Sequence, residues 1–216
     1  MAFKTPNKAS EYIRVHLREQ TDPLLREMEL YADEHFVPIL LPESTAFLAQ
    51  IVSLIKPEKT LEIGTAIGYS SQIILRNGGK KLYTIEIKED TLAIAKEYFK
   101  RAGLEDRVTT FLGDASEIIP LMEGRFDFIF MDGPKTRYIE YLPYIKQMLN
   151  DGGVLLCDNV LYNGMVSGET EIQRKKTTII TCLDKFLTAL RDDTDFTTSI
   201  LSVGDGMSLS IKRSNK

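Results

Sequence analysis

The chain reads as an α/β protein: a seven-stranded, mostly parallel sheet with helices on both faces, a C-terminal antiparallel hairpin and an N-terminal helical extension. Three observations predict this. Strand-like apolar runs alternate with helical stretches from about residue 57 onward. Two of the runs, Phe128-Ile129-Phe130-Met131 and Val154-Leu155-Leu156, are apolar without alternation, as strands covered on both faces are. Near the end, Gly204-Asp205-Gly206 splits two strand-like runs, a tight turn that makes them antiparallel neighbours. A chain of 216 residues suits one such domain with a full core. Residues 1–56 would supply the N-terminal helices and 57–216 the sheet.

Residues 7–35 carry helical spacing in two stretches, first Tyr12, Ile13 and Leu17, then Leu24, Leu25, Met28 and Tyr31. Asp22 is placed to cap the second helix, with Pro23 at its first position. Pro42-Glu43-Ser44 opens a third helix with Phe47, Leu48, Ile51, Val52 and Ile55 on its apolar side, and Pro57 lies just past its end. These amphipathic helices suit either a lid or a dimer surface. Strands are expected at 60–63, 82–87, 108–112, 126–131 and 154–157, with helices at about 70–77, 89–102, 115–122 and 137–149 between them. A long helix at about 171–191 precedes hairpin strands near 196–203 and 207–212.

Composition narrows the function. The net charge of −4 gives no global basic field to attract nucleic acid, although it leaves room for a local patch. Cys157 and Cys182 are too few for a disulfide framework, the N-terminus lacks an apolar segment of secretory length, and no apolar run approaches the roughly 18 residues of a membrane span. A cytoplasmic protein with no membrane partner is therefore expected. His16 and His35 are the only histidines, so any metal must be held by oxygen ligands.

The segment Leu61-Glu62-Ile63-Gly64-Thr65-Ala66-Ile67-Gly68-Tyr69-Ser70-Ser71 is a strand, a glycine turn and a helix start, the order in which α/β proteins build a cofactor cradle. Its spacing is E-x-G-x-x-x-G. That is not the G-x-G-x-x-G of dinucleotide binders, and no lysine follows to make a phosphate loop. The turn resembles motif I of class I S-adenosylmethionine (SAM) methyltransferases, where Gly64, having no Cβ, lets the backbone approach the methionine part of the cofactor. Acidic residues recur at successive strand ends: Glu62, Glu86, and Asp114 within Leu112-Gly113-Asp114-Ala115. Ligands of open parallel sheets bind outside those ends. Glu86 stands where a carboxylate accepts both ribose hydroxyls. Asp114 and the Ala115 N–H, carried by the Gly113 turn, stand near the adenine. Asp114 serves equally well as a helix cap.

The fourth strand ends in Met131-Asp132-Gly133-Pro134-Lys135 and the fifth in Cys157-Asp158-Asn159. Asp132, Asp158 and the Asn159 amide oxygen are three hard oxygen donors on neighbouring strand tips, a set suited to Mg²⁺ and equally acceptable to Mn²⁺. The competing reading leaves Asp158-Asn159 as a chain turn and Asp132 as a helix cap.

From about residue 37 to residue 165 the chain resembles the cation-dependent O-methyltransferases, which include the catechol and caffeoyl-CoA enzymes. The resemblance implies a Rossmann-like class I SAM methyltransferase. It implies metal ligation by Asp132, Asp158 and Asn159, and Lys135 as general base. It implies SAM contacts from Ile39, Glu62, Gly64, Ser70, Glu86, Gly113, Asp114, Ala115 and Asp132, and a homodimer. Independently of the family, a neutral hydroxyl is a poor nucleophile toward a sulfonium. A cation that polarises it and a lysine that takes its proton, if burial and the cation depress the lysine pKa, make the reaction reasonable.

Tyr31 to Ile39, the loop Asn159-Val160-Leu161-Tyr162-Asn163-Gly164 and the terminal Val203-Gly204-Asp205-Gly206-Met207 resemble a bacterial branch of that family. Its members methylate wobble 5-hydroxyuridine in tRNA to 5-methoxyuridine, which implies a tRNA anticodon loop as partner. Three basic clusters offer phosphate contacts: Arg174-Lys175-Lys176; Lys212, Arg213 and Lys216; and Lys4, Lys8, Arg14 and Arg18. Each reads equally as a solvated face. Tyr162 is placed to stack on a uracil or phenol ring, whereas Tyr138 and Tyr141, three apart, read as packing. A small catechol or hydroxycinnamoyl acceptor keeps the chemistry and changes the substrate. A SAM-binding protein without catalysis is opposed by the intact Asp132, Lys135, Asp158 and Asn159 set.

Overall fold

Phe128, Phe130, Val154 and Leu156 enter one apolar core while Ile129, Met131, Leu155 and Cys157 enter another, and this two-sided burial puts their strands in the middle of the sheet. A computed structural model describes residues 8–214. The seven strands are β1 (Lys59–Ile63), β2 (Lys81–Glu86), β3 (Val108–Leu112), β4 (Phe126–Met131), β5 (Leu149–Cys157), β6 (Phe196–Leu201) and β7 (Met207–Lys212). They lie in the order β3-β2-β1-β4-β5-β7-β6. The first five are mutually parallel, and β7 runs antiparallel to both β5 and β6. This is the expected mixed sheet with its C-terminal antiparallel hairpin. The chain leaves β1 for β2 and β3, then returns to β4 on the other side of β1. The carboxyl ends of β1 and β4 therefore flank a crevice, the switch point where such sheets bind ligands.

One face is covered by α2 (Pro23–Glu34), α3 (Pro42–Ile55), α4 (Tyr69–Arg76) and α5 (Glu89–Arg101), the other by α6 (Ala115–Ile118), α7 (Tyr138–Met148) and α8 (Thr177–Asp192). The helices before β1 do more than cap the fold. Leu25, Met28, Leu48 and Val52 are fully buried in the first core, so α2 and α3 belong to the packed body, while α1 (Lys8–His16) lies on α3. Asp22 caps α2 as its position predicts, its Oδ1 accepting the N–H groups of Leu24 and Leu25 at 2.9 and 3.1 Å.

Several boundaries differ from the sequence reading. The expected helix at 171–191 begins only at Thr177, after a single 3₁₀ turn at Arg174–Lys176. The helix at 115–122 is one α-turn followed by a 3₁₀ turn at Ile119–Leu121, because Pro120 has no N–H to continue it. β5 starts at Leu149, not 154. Leu149 pairs with Phe126 and Val154 with Phe128, so the intervening residues bulge out, with Gly152 at φ +76°. The first hairpin strand stops at Leu201, leaving 202–206 as a loop longer than the tripeptide turn. Among the described residues no helix is long and apolar enough to cross a membrane.

Candidate active site

A cleft of about 650 Å³ opens at the carboxyl ends of β1, β2, β4 and β5. The turn after β1 is the most constrained part of its wall. Gly64 and Thr65 donate their N–H groups to the Ile85 carbonyl at 3.0 and 3.2 Å. Gly64 has φ +100°, and a Cβ there would lie 2.7 Å from the Asp132 carbonyl oxygen. The glycine is thus required first by the close approach of two strand tips, a reason the sequence does not reveal. Gly68 has φ +83°, and its Cβ would strike the Phe99 ring.

Glu86 lines the cleft and orders its wall. Its Oε2 accepts the Ala66 N–H at 2.9 Å and its Oε1 accepts those of Ile87 and Lys88 at 3.0 Å. Asp114 is the helix cap foreseen as one of its two readings. It lines the cleft, and its Oδ1 caps α6 by accepting the Ser116 N–H at 2.8 Å and the Ser116 hydroxyl at 2.7 Å. Those bonds hold its carboxyl below the usual range. Ile39, Gly113, Ala115 and Ser70 also line the cleft.

Glu62 is the exception among the expected cofactor contacts. It is fully buried beneath the wall and outside the cleft lining. Its Oε1 accepts the Ser70 hydroxyl at 2.7 Å, and its Oε2 accepts Thr84 Oγ1 at 2.6 Å together with the Ser71 hydroxyl. Burial pushes this carboxyl up to about 7 against the pull of the three hydroxyls. Thr84 Oγ1 in turn lies 2.6 Å from Thr65 Oγ1. Glu62 therefore fixes Ser70 and Thr65, which do face the cleft.

On the other side, Asp132, Lys135, Asp158 and Asn159 converge at the tips of β4 and β5. The tips are held in register by Asp132 N–H to the Ile63 carbonyl at 2.9 Å and Asp158 N–H to the Met131 carbonyl at 3.0 Å. Tyr138, read as packing, also braces them. Its buried hydroxyl reaches the carbonyls of Met131 and Asp158 at 2.9 and 3.3 Å. Lys135 Nζ donates to Asp132 Oδ1 at 2.5 Å and lies 5.5 Å from the Tyr138 ring centre.

Asp158 is 2% exposed, and its Oδ1 accepts the Asn159 N–H at 2.8 Å. Burial, then the neighbouring Asp132 charge, pushes its carboxyl up to about 8, with Lys135 opposing. Two adjacent carboxylates, one of them buried, facing a single lysine form a site that fits a divalent cation. Among the described residues no three His, Cys, Asp or Glu side chains gather into a metal cluster, so a cation here relies on two carboxylates and the Asn159 amide oxygen.

Residues 17–213 match the O-methyltransferase family along nearly the whole fold just described. The chain belongs to the O-methyltransferase family. A caffeoyl-CoA O-methyltransferase of Stellaria longipes is 27% identical over 195 residues, covering 85% of this chain and 80% of the relative. A catechol O-methyltransferase of Niastella koreensis is 32% identical over 171 residues, covering 75% and 76%. The TomG O-methyltransferase of Streptomyces achromogenes, solved with SAM, superposes with a TM-score of 0.81 at 25% identity, covering 96% of this chain and 97% of that one. The SAH-bound PaMTH1 methyltransferase of Podospora anserina shares the fold, with a TM-score of 0.86 at 24% identity over 99% and 98%.

In this O-methyltransferase the cleft has a third wall that sequence reasoning missed. Ser10 and Arg14 of α1, Glu43 of α3, Asn163 and Asp205 all line it. Arg14 Nε and a terminal nitrogen bind the Glu43 carboxylate at 2.8 and 3.1 Å, so this arginine of the expected basic cluster is tied into the protein. Lys212 is engaged as well, donating to the carbonyls of Lys146 and Leu149 at 2.8 Å. Lys4 and Lys216 lie outside the described residues, as does the side chain of Lys8. Arg174 and Lys175 are exposed, and Lys176 Nζ lies 5.5 Å over the Tyr162 ring.

Proposed function

We propose that this chain transfers the methyl group of SAM, with a divalent cation, to one of two vicinal oxygens of its acceptor, and that the acceptor is 5-hydroxyuridine in a tRNA anticodon loop. The observation that carries the reaction is the convergence of Asp132, Lys135, Asp158 and Asn159 on one side of a cleft whose other side is lined by Gly64, Glu86, Asp114 and Ala115. Mg²⁺ or Mn²⁺, held by Asp132, Asp158 and Asn159, would supply Lewis acidity and a template for both acceptor oxygens. Lys135 takes the acceptor's hydroxyl proton at Nζ. As the acceptor O–CH₃ bond forms, the S–CH₃ bond of the sulfonium breaks and leaves a neutral thioether. Glu86 accepts the ribose hydroxyls, and the Asp114 turn holds the adenine edge. The chain's contribution is largely to hold donor and acceptor in line.

The 5-hydroxyl and 4-carbonyl of 5-hydroxyuridine are vicinal oxygens, as in a catechol. The segments 31–39, 159–164 and 203–207 support the RNA acceptor by their resemblance to that branch. A second reading, a small catechol or hydroxycinnamoyl acceptor, is favoured by the names of the relatives and by the overall negative charge. We further propose a homodimer, which sedimentation at micromolar concentration tests. Labelled SAM, tRNA carrying 5-hydroxyuridine and a catechol in parallel, each with and without EDTA, decide the acceptor. Label in tRNA that EDTA abolishes is the expected result. Label in the catechol alone keeps the reaction and replaces the RNA acceptor.

A further inference from the structure

The loop after β5 carries an unusual backbone. Asn159, Tyr162 and Asn163 have φ of 57°, 44° and 59°, and Gly164 follows at 72°. Left-handed backbone is unfavourable for residues with a Cβ, and three of these four have one, so the loop must be held in place. Its own turns supply part of this, with Met165 N–H on the Tyr162 carbonyl at 3.1 Å and Val166 N–H on the Leu161 carbonyl at 3.2 Å, and the connection between β6 and β7 supplies the external hold. Val160 N–H donates to the Gly206 carbonyl at 2.9 Å, and Leu161 N–H donates to the Asp205 carbonyl at 3.1 Å. The Asp205 side chain completes the clamp, its Oδ1 accepting the Asn163 N–H at 2.5 Å. The fit is close, since a Cβ at Gly206 would lie 2.3 Å from Leu161 Cγ. Asp205 and Asn163 both face the cleft beside Asp158 and Asn159.

We propose that Asp205 is a positioning residue for the cation site: by holding the Asn163 N–H it fixes the left-handed loop that aims the Asn159 amide oxygen. The inference rests on the reading of Asp132, Asp158 and Asn159 as cation ligands. Asp205 can also act through its charge, since it lines the same cleft as Asp132 and Asp158. The two actions separate chemically. Asp205→Asn keeps an oxygen acceptor and loses the charge, whereas Asp205→Ala loses both.

The test is direct Mn²⁺ binding to the full chain, read from the free-ion EPR signal, with SAM affinity by calorimetry alongside. Asp205→Ala is expected to weaken Mn²⁺ roughly 10-fold to 100-fold, the usual effect of losing a group that orients a ligand, with SAM affinity unchanged. Asp205→Asn is expected to stay within about 3-fold of the unaltered protein, because the orienting bond survives. Adding Asn163→Gly to Asp205→Ala is expected to restore much of the affinity, since glycine adopts the left-handed backbone without help. Asp205→Ser, too short to reach Asn163, replaces Asp205→Ala if that variant does not fold, with the same expected loss. Unchanged Mn²⁺ affinity in Asp205→Ala, or equal losses in the Ala and Asn variants, overturns the clamp. Absence of Mn²⁺ binding by the unaltered protein overturns the cation reading itself, and the clamp's role with it.

Discussion

Lys135 lines the cleft with its Nζ against Asp132 Oδ1 at 2.5 Å and its side chain only 13% exposed. If it is the base, Lys135→Ala lowers turnover by roughly 10²-fold to 10⁴-fold. SAM affinity is expected to change little, because Lys135 is not needed to hold the cofactor. Lys135→Arg separates proton transfer from simple charge: arginine stays protonated, so it restores activity only if charge is what counts. Single-turnover rates and SAM titrations read both variants, and near-normal turnover in Lys135→Ala ends the base assignment. Glu62 makes a different residue-scale prediction, on stability. Its carboxyl titrates at about 7 when folded, against an ordinary value of 4.5. The folded state therefore binds a proton that the unfolded chain has already lost between those values. Stability from this group is fully present below about pH 4.5 and is lost as pH rises through about 7. The loss amounts to roughly 3 kcal/mol. Glu62→Gln, which cannot titrate, is expected to remove that slope. Denaturant unfolding of both proteins at several pH values across this window is the check, and parallel curves would refute the assignment.

At the scale of elements, the site depends on strand tips and the turns that follow them. Gly64 joins β1 to α4 at φ +100° with the Asp132 carbonyl in the space a Cβ would take. Gly64→Ala is expected to cost roughly 2–4 kcal/mol, from left-handed strain plus overpacking against backbone that cannot swing aside. It should also shift the Asp132 tip, so cation and SAM binding weaken together. Thermal unfolding with paired titrations measures this, and a variant of unaltered stability would show that the turn relaxes freely. The same elements explain what the sequence made legible. Both middle strands could be read from uninterrupted apolar runs, and Asp132, Asp158 and Asn159 because they end those runs. The residues of the third wall could not. Asp205 reads as the centre of a hairpin turn, and its partner Asn163 reads as a loop residue. Their meeting depends on β7 inserting between β5 and β6, a long-range pairing that no local pattern encodes. Arg14 looked like one of a solvated basic group, and only the docking of α1 on α3 reveals its tie to Glu43. Glu62 was expected at the cleft because it ends a strand, but a side chain's direction at a strand end follows the pleat, and here it points to the hydroxyls beneath the wall.

For the whole molecule, the question is how a chain of net charge −4 would hold an RNA loop at this cleft. The structure narrows the candidate surface. Arg14 is committed to Glu43, Lys212 to backbone carbonyls and the cleft-lining Arg137 to Glu140, which leaves the turn before α8 as the expected basic cluster still exposed beside the loop after β5. There Arg174 and Lys175 are exposed, and Lys176 covers Tyr162, the neighbour in sequence of the cleft residue Asn163. Under the proposed RNA acceptor, phosphates flanking a base inserted in the cleft are expected to meet this rim, whereas a small catechol has none to place there. Reversing both exposed charges, Arg174→Glu with Lys175→Glu, is therefore expected to raise KM for tRNA about 10-fold at moderate salt and to flatten its salt dependence by about one to two phosphate contacts. Activity toward a catechol should be unaffected, because neither residue lines the cleft. The control matters, since a loss shared by both acceptors would mean the α8 turn supports the site's structure. Equal tRNA kinetics before and after the reversal would refute this rim as an RNA contact.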